Sequence, residues 1–453
     1  MSSASALANI FRLPDLRKRI MLTLVLLLVY RLGFHIPLPG VDARVLKGFT
    51  EKLTGSNIWG IMNVVSGGRL QLPLLFSLGI LPYISASIIF SLLVKVVPRL
   101  EALSKEGAAG QRKINQMTRY ATVPICLVQG LVLVFTQFRN FEADVWGQNG
   151  AKGFIVPGLQ EEGALALIGT ALMLTVGMTA GTLFIMWLGE QITESGIGNG
   201  ASLIIMAGIL SSLPNAISKI GVRASDDRGF VVIAAVLVLT YLGVVIGVVM
   251  ITKGQRRIPI QQAKLVRGGK VFGGAKHFLP IKVNMANVMP VIFASSLLMF
   301  PNIVSQAISG TDILVWAGWW YMVLETVLIF FFSFFWTSMM FQPSEMANNL
   351  KESGAFIPGI RPGKKTAEYL EKIMLRITIV GAAFLVLITI IPTMVAEFLK
   401  VDYQISSFLG GTSILIVVGV ALDLVDKLNS QLLQRNYEGF MSAAQAKRGR
   451  RGQ

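Results

Sequence analysis

Side chains that support covalent or metal chemistry are scarce in this chain of 453 residues. It has one cysteine, Cys126, and two histidines, His35 and His277. A single cysteine excludes an intrachain disulfide and any cysteine metal cluster. No group of His, Cys and carboxylate residues has metal-site spacing, and a Ser–His–Asp arrangement would have to be assembled across distant apolar segments. The sequence therefore predicts no catalytic residue, no metal site and no cofactor.

Signatures of nucleotide binding and of potassium selectivity are also missing. The run from Gly359 to Thr366 superficially resembles a phosphate loop, but three residues separate its glycines where four are required. The selectivity signature of potassium channels does not occur in the sequence. Both absences disfavour a nucleotide-driven or ion-selective protein.

Charged residues are few, and long apolar runs take their place. They make up 14% of the chain against 53% hydrophobic residues, with a mean hydropathy of +0.64. A soluble domain of this length needs fewer apolar residues to fill its core. The net charge of +17 must lie in loops and tails, since a charge at the bilayer centre costs at least about 2.5–3.5 kcal/mol. The composition indicates a polytopic membrane protein whose first apolar run is retained as a span.

Ten segments are long and apolar enough to span a bilayer. Backbone polar groups must pair within each segment in lipid, which makes the spans helices and the fold class all-α. The predicted spans are about 20–38, 73–97, 118–138, 163–187, 198–214, 230–252, 288–308, 314–341, 376–398 and 409–427.

Lysine and arginine are distributed unevenly between alternating loops. One set of loops and both tails carry 26 of them, and the opposite loops carry 10, so both termini are predicted to be cytoplasmic. Ten spans divide into two five-helix halves of opposite orientation, which places a pathway between the halves. The predicted division is a cytoplasmic N-tail (1–19), an N-terminal half (20–214), an external hinge loop (215–229), a C-terminal half (230–427) with cytoplasmic loops 253–287 and 342–375, and a cytoplasmic C-tail (428–453).

Few ionisable residues lie within the predicted spans, and the candidates for a functional role are Arg31, Lys95, Glu325 and Asp423. Only Glu325 lies near the middle of its segment, where a buried polar contact and a proton relay are both open interpretations. A secondary transporter with inverted repeats, the alternative function, needs more polar groups inside its spans. A pathway lined by apolar residues fits the sequence better.

The segment 57–70 is too short to span and directly precedes the second predicted span. A re-entrant plug and a surface helix fit it equally well on composition alone. Its apolar residues end at a glycine pair, Gly67 and Gly68, which gives a flexible link.

Several ordered motifs resemble the SecY family, the pore-forming subunits of bacterial protein-conducting channels. They include F-H-I-P-L-P-G-V-D at 34–42, S-L-G-I-L-P-Y-I-S-A-S-I-I at 77–89, W-L-G-E-Q-I-T-E-S-G-I-G-N-G at 187–200, K-G-Q-R-R-I-P-I at 253–260 and G-A-F-I-P-G-I-R-P-G at 354–363. The resemblance covers nearly the whole chain. It implies a clamshell of two halves around an hourglass pore that moves unfolded polypeptides across the bacterial cytoplasmic membrane and releases hydrophobic segments sideways into lipid.

The resemblance assigns three sets of residues to the pore. Its waist is an apolar ring at Ile80, Ile84, Ala201, Ile205, Ile292 and Ile416, where Ala201 is smaller than the aliphatic side chain common in the family. The plug is Asn57, Ile58, Trp59, Gly60, Ile61, Met62, Asn63, Val64, Val65, Ser66, Gly67 and Gly68. The lateral gate, through which signal sequences reach lipid, has Ser85, Ser87 and Ser91 on one side and Ser296 and Phe300 on the other. Packing alone is an open alternative for each of these serines.

The predicted cytoplasmic loops 253–287 and 342–375 resemble the family's docking surface for the ribosome and the ATPase SecA. Loop 253–287 holds eight Lys/Arg residues and no acid. The implied docking residues are Arg256, Arg257, Arg361, Lys364 and Lys365. Arginine suits RNA phosphates and acidic surfaces because its planar fork binds two oxygens. Further implied partners are the small membrane subunits SecE and SecG, signal sequences and nascent chains, and the lipid bilayer.

Overall fold

A computed structural model describes residues 14–39, 41, 73–134, 163–226, 228–262, 265–267, 270–272, 276–309, 319–399 and 411–449. Helices dominate this part of the chain, which confirms the predicted helical character. They are α1 (Pro14–Gly33), α2 (Leu81–Val96), α3 (Pro98–Lys105), α4 (Ala108–Leu133), α5 (Gly163–Ser195), α6 (Gly200–Asp226), α7 (Arg228–Lys253), α8 (Met289–Ser309), α9 (Trp319–Met340), α10 (Pro343–Glu352), α11 (Lys364–Phe398) and α12 (Gly411–Gly449).

Each of the ten predicted spans overlaps one of the longer helices. Within the described residues, four helices are long and apolar enough to cross a membrane by themselves, and a fifth span results if α2 and α3 are counted together. These two helices meet at an angle of 97°. The helix α2 ends at Val96 because Pro98 cannot continue its hydrogen-bond ladder. The full count of ten spans stays a prediction.

The first two predicted spans differ from the structure at the ends that face segment 39–72 in sequence. Helix α1 ends at Gly33 and α2 begins only at Leu81, so 73–80 is not helical. The hydroxyl of Ser77 accepts a hydrogen bond from the Leu74 N–H (2.9 Å) and donates one to the Leu74 carbonyl (2.7 Å). This local pairing stabilises a turn in place of a helix.

The predicted external loop 215–229 is helical wherever it is described. Helix α6 continues to Asp226 and α7 begins at Arg228. The chain divides into two compact units, and the first boundary lies between Lys219 and Ile220. Unit 1 comprises Met1–Lys219, Gln306–Ser309 and Val420–Gln453, and unit 2 comprises Ile220–Ser305 and Gly310–Gly419.

Unit 1 has a core formed by α2, α4, α5 and the turns before α2. Leu78, Leu81, Leu133 and Leu174 are among its buried members. Next to them Phe76 stacks on Tyr30, with ring centroids 6.4 Å apart, and meets Phe34 edge-on at 5.8 Å. These contacts hold the segment 73–80 against α1 and α5.

Five β-strands, which the all-α prediction did not include, lie in the two loops of unit 2 that are predicted to be cytoplasmic. They are β1 (Gln255–Gln262), β2 (Leu265–Arg267), β3 (Lys270–Phe272), β4 (Lys276–Lys282) and β5 (Ala355–Phe356). Strands β4, β1 and β5 form one antiparallel sheet in that order, and β2 pairs with β3. The backbone groups of a polar loop can form hydrogen bonds with water as readily as with a neighbouring strand, so the composition of these loops gave little indication of the strands.

Candidate functional site

Two ring residues of unit 1 meet in the first turn of α2. The Ile84 N–H donates to the Ile80 carbonyl over 3.1 Å, so the two side chains stand one turn apart on one face, as their spacing predicts. Ile80 is 2% exposed and Ile84 half-buried. Pro82 fixes the local backbone at the start of this helix.

Ala201 and Ile205 occupy the first two turns of α6, also in unit 1. The Asn199 side chain accepts a hydrogen bond from the Ser202 N–H at 3.3 Å, which caps the helix start. Ala201 is half-buried and Ile205 is 5% exposed. The beginnings of α2 and α6 therefore present the four apolar side chains of unit 1 on firmly held backbone.

The other two ring residues belong to unit 2. Ile292 lies in the first turn of α8, where its N–H donates to the Val288 carbonyl at 3.2 Å, and is half-buried. Ile416 is buried in α12. The first turn of α12 contacts α11 closely, because a Cβ added at Gly411 would overlap the Ile388 carbonyl. Closure of the six residues into one ring stays a prediction.

The predicted plug, Asn57 to Gly68, lies outside the described residues, but both of its flanks are described. Pro37 and Leu74 form an antiparallel bridge. The Leu38 N–H donates to the Pro73 carbonyl and the Leu75 N–H to the Ile36 carbonyl, both at 3.0 Å. The segment 42–72 thus begins and ends at a hydrogen-bonded stem in unit 1.

The predicted gate residues are divided between the two units. Ser85, Ser87 and Ser91 lie on α2, and Ser296 and Phe300 on α8. Ser91 donates to the Ser87 carbonyl at 2.7 Å, so these two share a face, whereas Ser85 stands roughly 200° around the helix from Ser87. Ser85 is buried and the other two are half-buried. Only Ser87 and Ser91 can therefore face the same partner.

The sheet of unit 2 joins loops 253–287 and 342–375. Gln261 and Gln262 of β1 pair with Phe356 and Ala355 of β5. Ile258 of β1 and Ile281 of β4 enter a core with Ile357 and residues of α11 such as Leu370. This core anchors both loops to one helix.

The neighbouring docking arginines of β1 lie on opposite faces of the sheet, because successive strand residues alternate. Arg256 shares the face of the buried Ile258, and Arg257 shares the face of the exposed Pro259. Both arginine side chains are exposed, and no ion pair joins either one to another described residue.

Arg361 lies in a turn between β5 and α11 whose glycines have positive φ, +83° at Gly359 and +99° at Gly363. The Thr366 hydroxyl donates to the Arg361 carbonyl at 3.0 Å. Ile360 packs on the unit 2 core while Arg361 is exposed. The turn therefore presents the guanidinium to solvent from a fixed backbone.

Lys364 and Lys365 are the first two residues of α11, and both side chains are exposed. Lys365 pairs with Glu368 at 3.4 Å, with side chains 72% and 51% exposed, and such surface pairs contribute little to stability. With Arg361 they form a continuous basic segment at this end of α11.

The ionisable residues singled out within spans have different environments. Arg31 donates to Ser211 at 3.0 Å and Asp423 pairs with Lys427 at 3.1 Å, while Lys95 is exposed at the end of α2. Glu325 is 3% exposed, and its Oε1 has no hydrogen-bond partner among the described residues.

Arg119, which lies inside the predicted span 118–138, is a further candidate that was not predicted from the sequence. Its Nε donates to Oε1 of Glu190 over 2.6 Å, joining α4 to α5. A basic residue in an apolar run and an acid in the W-L-G-E-Q motif were visible, but their pairing across 71 residues was not. In the described part of the chain, no three His, Cys, Asp or Glu residues are grouped as metal ligands.

A family model described as SecY matches residues 75–425. The chain belongs to the SecY family. It is 43% identical over 449 residues to a protein translocase subunit SecY of Streptomyces galbus, an alignment that covers 96% of this chain and 99% of the relative. The family resemblance stated from the motifs is thereby confirmed.

Solved SecY and Sec61 channels share the fold at low identity. One is a structure of the SecY protein concerned with its plug domain and the closed state of the channel, with a TM-score of 0.61, 18% identity and 91% coverage of both chains. Another is Sec61 in the canine ribosome–channel complex from the endoplasmic reticulum, with a TM-score of 0.57, 16% identity and 91% coverage of both chains.

The SecY match from 75 to 425 includes every predicted ring, gate and docking residue. The predicted plug precedes the matched range. The match is to a family of protein translocase subunits. It does not favour the alternative of a secondary transporter with inverted repeats.

Proposed function

We propose that this chain is the channel subunit of a protein translocase, which passes unfolded secretory polypeptides across a membrane and releases hydrophobic segments into it. Placement of Ile80, Ile84 and Ile205 carries the proposal. Branched apolar side chains on fixed first turns exclude water and ions by dewetting, yet offer a passing chain no polar partner that would trap it.

In this proposal the ten predicted spans form two inverted five-helix halves, 20–214 and 230–427, with the hinge at 215–229. The six apolar residues form the waist of an hourglass pore between the halves, and segment 57–70 seals its external side. The hydrogen-bonded stem at Pro37 and Leu74 supports this role, since it lets the plug move while its ends stay fixed. Gly67 and Gly68 supply a flexible link to that stem.

The lateral gate is proposed between α2 and α8. Ser87 and Ser91, on one helix face, are the stronger candidates on α2, with Ser296 and Phe300 on α8. Polar contacts between spans contribute roughly 0.6 kcal/mol each, which an apolar signal helix can displace.

The two-loop sheet and the turn at Arg361 are proposed as the docking surface for the ribosome and SecA. Arg257 and Arg361 are exposed on backbone that the unit 2 core holds in place. Arg256, Lys364 and Lys365 extend the positive charge, and guanidinium groups bind RNA phosphates and carboxylates in pairs. The canine Sec61 channel, which shares the fold, is solved in a complex with a ribosome.

The proposed setting is the bacterial cytoplasmic membrane, with both termini and the basic loops on the cytoplasmic side. SecE and SecG are the proposed membrane partners. Energy comes from translation, from ATP hydrolysis by SecA and from the proton-motive force, and the chain itself does no covalent chemistry.

The proposal is tested by reconstituting the chain with its partner subunits in vesicles. We expect a secretory polypeptide to become protected from external protease when SecA and ATP are added, and deletion of 60–67 to raise ion leakage. Uptake of a small solute without polypeptide protection would instead support a transporter. Ribosome binding with neither protection nor leakage would support a purely structural receptor.

A further inference from the structure

The ion pair of Arg119 and Glu190 joins two helices of unit 1 in a partly buried setting. The Nε–Oε1 distance is 2.6 Å, and the side chains are 43% and 21% exposed. A charge-assisted hydrogen bond of this length is stronger than a neutral one, and partial burial reduces its screening by salt. The ion pairs of the predicted cytoplasmic loops, by contrast, are exposed to solvent and are screened more strongly by salt.

A ring-bearing helix, α2, packs against α4, the helix that carries Arg119, and α4 packs against α5, the helix that carries Glu190. Ile80 and Ile84 lie at the first turn of α2. A shift of α4 against α5 is therefore passed to these two side chains through the packing of α2 on α4.

The second ring-bearing helix, α6, reaches the pair through Gly189, the residue before Glu190. A Cβ added at Gly200 would overlap the Gly189 carbonyl, and one added at Gly189 would lie 3.6 Å from the Ala201 nitrogen. The hydroxyl of Thr193 donates to the Gly189 carbonyl and accepts from the Gly200 N–H, both at 2.8 Å. The start of α6 is therefore fixed to the turn of α5 that carries Glu190.

We infer that Arg119 and Glu190 are positioning residues for the channel constriction: their ion pair sets the placement of Ile80 and Ile84 on α2 relative to Ala201 and Ile205 on α6. The inference rests on the proposed channel function. Loss of the pair frees α4 to shift against α5, which loosens the spacing of the four apolar side chains and weakens their seal.

The test is the resting ion conductance of vesicles that contain the channel and its partner subunits but no translocating chain. We expect Arg119→Gln and Glu190→Gln each to raise this conductance at least about ten-fold, the change that loss of one charged hydrogen bond makes in a two-state equilibrium. The charge-exchanged double variant, Arg119→Glu with Glu190→Arg, is expected to restore most of the seal. Glu101→Gln is the matched control, because it breaks the exposed Lys105–Glu101 pair of 2.8 Å and should leave conductance unchanged.

The inference is overturned if both single variants seal as well as the parent chain, or if the exchanged double variant leaks as much as they do. Should a Gln variant fail to accumulate, Arg119→Met takes its place, since it keeps an unbranched side chain without the charge, and an unchanged conductance there also contradicts the inference. Deletion of 60–67 serves as the reference for leakage. If that deletion leaks and the pair variants do not, only this inference fails; if nothing leaks and no polypeptide is translocated, the channel function itself fails.

Discussion

Gln261 of β1 stands opposite Phe356 of β5, so two loops nearly a hundred residues apart in sequence share one sheet. Loop 253–287 has eight Lys/Arg residues and no acid, and loop 342–375 contributes Arg361, Lys364 and Lys365. Their joint sheet packs Ile258, Ile281 and Ile357 on α11. A partner that binds this surface therefore contacts one sheet to which both loops contribute.

We expect Arg361→Glu to reduce export at least about ten-fold at equal protein level, because reversing one guanidinium removes a paired contact and adds repulsion from an anionic partner. The measurement is the processing rate of a secretory substrate in cells. Lys351→Glu is the control, since it makes the same charge change on an exposed residue of the same loop. Equal export by both variants would refute the assigned role.

Gly363 has a φ of +99°, a conformation that costs other residues about 1 kcal/mol or more. Gly363→Ala is expected to distort the turn that presents Arg361 and to lower binding of ribosomes or SecA several-fold, while the spans fold normally. Co-sedimentation with ribosomes measures this. Unchanged binding would show that the backbone conformation at Gly363 is not required for binding through Arg361.

A Cβ added at Gly181 of α5 would overlap the Leu75 carbonyl, whereas one added at Gly169 of the same helix meets no atom within 4 Å. We expect Gly181→Ala to destabilise the protein by about 1–3 kcal/mol, the usual range for overpacking, and to lower its thermal midpoint in detergent. Gly169→Ala should be neutral or slightly stabilising, because alanine favours helix. Equal midpoints would contradict the close packing of segment 73–80.

Glu325 is buried in α9 with an unpartnered Oε1 among the described residues, and an unpaired ionised carboxylate there would be costly. Glu325→Gln, which keeps the shape without an ionisable group, is expected to leave accumulation and export within about two-fold of the parent chain. Glu325→Lys should reduce accumulation strongly. Loss of export in a normally folded Glu325→Gln variant would indicate that the acid takes part in transport.

Helix type followed from the length of the apolar runs, so each predicted span overlaps a helix. Helix ends did not follow, because they depend on contacts from elsewhere: α1 stops where Gly33 admits the ring of Phe76, and α2 starts after the Ser77 turn. The strands had a weak signal in the alternation around Ile258 and Ile260, hidden by the basic composition of the loop. The Arg119–Glu190 pair joins residues that are far apart in sequence, so it could be identified only once the packing of α4 on α5 was known.

A polypeptide that passes the apolar constriction must contact its side chains, and site-specific crosslinking to a stalled secretory chain detects this contact. A photoreactive side chain is placed at Ile84 or Ile292, with Ile89, on α2 and 44% exposed, as the control away from the Ile84 face. We predict strong capture of the stalled chain at Ile84 and Ile292 and little at Ile89. No capture at the first two positions, or equal capture at all three, would contradict passage of the chain through the constriction.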